Sequence, residues 1–101
     1  MQLPEWLKKG GLPTGSLADF KPGTVERAKV ITLSLLAAWD STTTSEQNWE
    51  IEVRRAKKEN AHGLLGFGDF DTYLEQAIGK TEGEASKRFD TNAEAERAWL
   101  K

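Results

Sequence analysis

Four basic side chains, Arg54, Arg55, Lys57 and Lys58, stand within five positions and form the densest charge cluster of the chain. Read as a helix, they fall outside the apolar spacing Trp49, Val53 and Ala56 and so face solvent. Glu50, Glu52 and Glu59 frame them. Two uses suit such a face: local i, i+4 ion pairs, or contact with phosphates or an acidic partner.

Catalytic chemistry has few candidates. There is no cysteine, which removes thiolate metal sites, disulfides and cysteine nucleophiles, and a single histidine, His62. His62 falls near the expected end of a helix, where a cation suits the dipole. Close carboxylates occur as Asp69 with Asp71 and Glu82 with Glu84, all at helix starts, where capping accounts for them. Asp69, Asp71 and Glu75 lack the ligand spacing and glycine of a calcium loop. Gly63, Gly66 and Gly68 resemble a phosphate-binding loop only loosely, since no strand precedes them and the spacings run in reverse order. The expectation is a protein that binds rather than turns over a substrate, with no cofactor and no metal.

Composition sets the frame in which these residues act. The 101 residues include 38% hydrophobic and 30% charged side chains, the balance of one globular domain. Net charge is minus 2, from 14 basic and 16 acidic residues, with no basic tail. Residues 1–5 lack a charged leader followed by an apolar stretch, and Val30 to Trp39 is about half a bilayer span. A cytoplasmic chain without a membrane segment is expected.

The elements that must position the charges read as helices. Glycine and proline crowd residues 1–23, an arm with room for one short helix at Pro4 to Lys9, whose Trp6 and Leu7 would pin it to the core. Residues 24–101 make the helical domain. Its central helix opens at Thr24, with Glu26 in the first turn, and runs to Asp40, apolar nearly all round through Val30, Ile31, Leu33, Leu35 and Leu36, with Leu33 and Leu36 expected in the core. A capping box at Thr44 and Gln47 opens a helix to about His62, ended by Gly63. Asp69 caps the next, with Phe70, Tyr73, Leu74, Ala77 and Ile78 as its stripe, closed by Gly79. Thr81 with Glu84 and Thr91 with Glu94 open two more, carrying Ala85 and Phe89, then Ala95, Ala98 and Trp99. The fold class is all-α, a compact bundle of four main helices plus the short N-terminal one.

Residues 66–89, GFGDFDTYLEQAIGKTEGEASKRF, resemble the helix-turn-helix segments of small phage, plasmid and transposon DNA-binding proteins. Phe70, Tyr73, Leu74 and Ile78 match the first helix, Gly79, Lys80 and Thr81 the turn, and Ala85 the buried position of the second helix. The resemblance implies that Lys80, Thr81, Lys87 and Arg88 contact nucleic acid, since a recognition helix presents its first turn to base edges. Glu82 and Glu84 occupy that turn, where they can accept from cytosine but repel phosphates. Without the resemblance, the same segment is a structural helical hairpin. Two functions follow from different premises. One is a small DNA-binding protein of a phage or mobile element. The other is a protein-interaction module, small subunit or inhibitor that docks onto a larger partner through an acidic surface of that partner or through Trp6 and Trp99 near the termini.

Overall fold

The computed structural model describes residues 3–41 and 45–87. They form α1 (Glu5–Lys8), a 3-10 turn (Leu17–Asp19), α2 (Val25–Asp40), α3 (Glu46–Lys58), α4 (Ala61–Leu64), α5 (Phe70–Ile78) and a helical segment at 82–87, α6. The fold is all-α, with no strand among the described residues. None of its helices is long and apolar enough to cross a membrane. The expected helix from Thr91, with Trp99, lies outside the described residues, as does Arg88.

Helix α2 is the central member, packed against α3, α4, α5 and the 3-10 turn. Thr24 starts it: its backbone is extended, and its hydroxyl accepts from the Arg27 amide at 3.3 Å. This satisfies one of the four donors that a helix start leaves open. Ala28, Ile31 and Leu35 face the common core, and Leu36 is buried beside them. Leu33, expected in the core, is only half-buried. The buried arc is completed instead by Lys29 and Thr32, polar residues that find backbone or hydroxyl partners. An apolar run as dense as this one does not say which of its leucines points inward, because every helical face offers one.

The stripe on α3 is Trp49, Val53 and Ala56, all buried as its spacing requires. Both ends of α3 differ from expectation. Its cap is Ser45, which accepts from the Asn48 amide at 3.2 Å, one residue after the expected Thr44 box. Its last residue is Lys58, four short of His62. Asn60 adopts left-handed backbone, φ 56° and ψ 41°, and breaks the helix there. Asn tolerates that conformation better than other side-chain-bearing residues. The chain restarts as α4, which carries Ala61 into the core. Gly63 therefore sits inside α4 and not at a helix end, and a Cβ there would lie 2.5 Å from the side-chain Nδ2 of Asn60. One expected helix is thus two, so the bundle has more and shorter members than the four main helices expected.

Asp69 caps α5 through the Thr72 amide at 2.7 Å, and Tyr73 and Leu74 are its buried residues. Gly79 ends it at φ 77°, a conformation that suits a residue without a Cβ. The chain turns and restarts at Thr81, and Ala85 of α6 reaches the core. The N-terminal arm closes over the same core. Leu7 is fully buried, and Trp6 stacks edge-on against Phe67 with centroids 4.9 Å apart. The Trp6 indole N–H donates to the Gln76 carbonyl at 3.4 Å. Trp6 is thereby half-buried against the bundle, where it pins the arm as expected.

Candidate partner-binding surface

The basic residues of α3 diverge in use once the helix is packed. Arg54 is exposed and lies 3.6 Å from Glu50, one turn back. Arg55 is partly covered and its guanidinium reaches Glu52 at 3.1 Å. The Lys57 side chain reaches away from α3: its ammonium is 2.6 Å from Glu82 of α6 and 5.3 Å from the centre of the Phe70 ring. Lys58 is exposed, with no carboxylate in ion-pair range among the described residues. It borders an open cleft shared with Pro22, Gly23, Arg27 and Glu59.

The turn between α5 and α6 is built by its own side chains. The Thr81 amide and hydroxyl both donate to Glu84, at 3.3 and 3.0 Å, while the Glu84 amide donates to the Thr81 hydroxyl at 3.3 Å. This reciprocal box is the one the spacing predicted. It holds the Glu84 carboxyl below its ordinary value, as the Thr72 amide does for Asp69. The Glu82 amide donates to Asp71 at 3.0 Å, so a carboxylate already sits at the start of α6. The paired acids are therefore engaged in capping and in joining the two helices. Lys80 and Lys87 are exposed beside them.

The structure thus brings Lys57 together with the start of α6, and leaves Arg54 and Lys58 on the exposed side of α3. His62 contributes an orphan: its Nδ1 is buried without a hydrogen-bond partner, and its ring meets Phe70 edge-on at 5.8 Å.

Two ionic features escape the sequence reading. Arg27 forms a forked pair with Glu59, Nε to Oε1 and Nη2 to Oε2 at 3.0 Å, and its Nη1 donates to the Leu17 and Phe20 carbonyls. The hydrogen bond from Arg27 holds the Glu59 carboxyl below its ordinary value. Lys29, 8% exposed, donates to the Lys9 carbonyl at 2.7 Å and the Gly11 carbonyl at 2.9 Å. Its one sequence signal is a lysine set directly before the apolar run of α2. Comparison with protein-family models, with characterised proteins and with solved structures gave no match.

Proposed function

We propose that this protein is a non-enzymatic binding module whose partner is another protein. One observation carries the reading: three of the four clustered cations already face carboxylates of the same chain, Arg54 to Glu50, Arg55 to Glu52 and Lys57 to Glu82. Cations without a carboxylate partner bind a phosphate backbone by displacing its condensed counterions into solution, and a surface of alternating sign offers few of them. Alternating charge suits a protein surface, where complementary pairs set orientation and encounter rate.

A second reading, a nucleic-acid-binding protein, is favoured by the Lys57–Glu82 contact, which places the basic stretch of α3 next to the second helix of the hairpin. Lys80, Thr81, Lys87 and Arg88 would then supply further contacts. A gel-shift series with mixed-sequence duplex separates the two, because several phosphate contacts make affinity fall roughly a thousandfold or more between about 50 and 200 mM salt. The protein-binding reading expects no retardation at the lower salt. Retardation whose salt slope falls by roughly 2 in an Arg54→Ala, Arg55→Ala double variant would overturn it in favour of nucleic acid.

A further inference from the structure

A small cleft of about 170 Å³ opens where the N-terminal arm crosses the start of α2, far in sequence from the basic cluster. Gly11, Leu12, Pro13, Val25, Glu26 and Lys29 line it. We infer that it captures the free C-terminal carboxylate of a partner peptide ending in a small apolar residue, with Lys29 as the counter-charge. The inference rests on the protein-binding reading and names its ligand.

Three observations converge on that chemistry. Lys29 is more than nine-tenths buried, yet no carboxylate among the described residues lies within ion-pair distance of it. Two of its three N–H donors go to the Lys9 and Gly11 carbonyls, which leaves one without an acceptor among the described residues. A buried charge held only by neutral dipoles is under-compensated, and an arriving anion would complete it. Second, Val25 and Glu26 supply the first two amides of a 16-residue helix, and no acceptor among the described residues takes either N–H. Amides at a helix start favour anions, and main-chain amide nests are a recurrent means of holding a peptide terminus. Third, the cation is flanked by apolar surface that the fold leaves uncovered: Leu12 is 39% and Val25 44% exposed. A C-terminal residue carries its carboxylate and its side chain on one Cα, so a single residue can meet both needs.

Glu26 selects among anions. It is exposed on the lip of the cleft, with no cation of the described residues in ion-pair range. Its charge opposes a phosphate dianion more than a monoanionic carboxylate, which turns the site away from phosphate groups.

The test is a ¹H–¹⁵N titration of the full chain with acetyl-Gly-Gly-Val as free acid, with its C-terminal amide, with acetate and with inorganic phosphate. The free acid is expected to shift the Gly11, Val25 and Glu26 amides and to bind about tenfold more tightly than the amide, the worth of one charge-assisted contact. Glu26→Gln is expected to tighten it about two- to threefold by removing the like charge. Lys29→Met should abolish it. Because Lys29 also ties down the arm, Leu12→Ser, at an exposed position, is the companion variant that keeps the fold and weakens the peptide without weakening acetate. Equal affinity for acid and amide, phosphate binding as tight as peptide, or no shift at saturating peptide would each overturn the site. A positive gel shift with the peptide still bound would sink the protein-binding reading of α3 and leave this cleft standing.

Discussion

The Tyr73 hydroxyl lies 2.6 Å from that of Thr32 in the middle of the core, and Thr32 in turn donates to the Ala28 carbonyl at 2.9 Å. A threonine hydroxyl has one proton, so once Ala28 takes it the tyrosine must donate. Burial pushes the Tyr73 phenol up to about 12 from an ordinary 10.0. The folded state then keeps a proton that the unfolded state gives up. Its contribution is intact below the unfolded value near 10.0 and is lost as pH rises toward the folded value near 12. Tyr73→Phe is expected to cost about 1 kcal/mol at neutral pH, the usual net worth of one hydrogen bond, because Thr32 retains Ala28. The same variant should blunt the alkaline loss of stability, read as urea midpoints across the pH range above about 10. An alkaline profile identical to that of the parent chain would contradict the assignment. At the same scale, Trp6 illustrates how type misleads: an aromatic near a terminus suits an interface, but here its indole N–H finds the Gln76 carbonyl and its ring finds Phe67.

Among the elements, the turn from α5 to α6 depends on two residues with separate duties. Gly79 holds φ 77°, which a Cβ disfavours, so Gly79→Ala should cost about 1 kcal/mol or more. Thr81 closes the box with Glu84, and Thr81→Ala should cost about 0.5–2 kcal/mol by leaving a first-turn amide without its acceptor. Thermal denaturation of the two single variants and the double measures both, and because they are close neighbours the double also reports their coupling. Along α2 the faces are unequal. Leu35 is fully buried while Leu33 is half-buried, so Leu35→Ala should cost about 2–5 kcal/mol and Leu33→Ala clearly less. Equal losses of melting temperature would mean that the helix is rotated about its axis from the position described.

At the scale of the whole molecule, Arg27 is the junction of the N-terminal segment with the bundle. It binds the Leu17 and Phe20 carbonyls on one side and Glu59, just past the end of α3, on the other. Glu59, Asp69 and Glu84 all have carboxyls held below their ordinary values, by the hydrogen bonds from Arg27, Thr72 and Thr81 respectively. Such groups stabilise the fold while ionised above the unfolded values of 4.5, 3.8 and 4.5, and the contribution is lost as pH falls through the folded values. Acid should therefore lower the urea midpoint progressively below about pH 4.5, and Glu59→Gln should flatten the upper part of that decline. An acid limb unaltered by Glu59→Gln would remove the Arg27 pair from the pH response.

By itself the sequence determined the helical class, the starts of α2, α5 and α6, the buried stripe of α3 and the Tyr73 and Leu74 centre of the α5 stripe, whose Phe70, Ala77 and Ile78 are only half-buried. Those depend on local spacing, on Thr24, Asp69 and Thr81 as caps, and on Gly79 as a stop, all read within a few residues. The Thr81–Glu84 box was legible because both partners lie within one turn. Only the tertiary structure decided the rest. The break at Asn60 is a left-handed residue after which Ala61 enters the core, and its residue type permits that backbone without dictating it. The partners of the basic cluster divide the same way: Glu50 and Glu52 stand within a turn of Arg54 and Arg55, while Glu82 reaches Lys57 only because α6 returns to α3. Lys29 is the sharpest case. Its acceptors are backbone carbonyls 18 and 20 residues away, groups every residue possesses, so no pattern of side chains could have marked them.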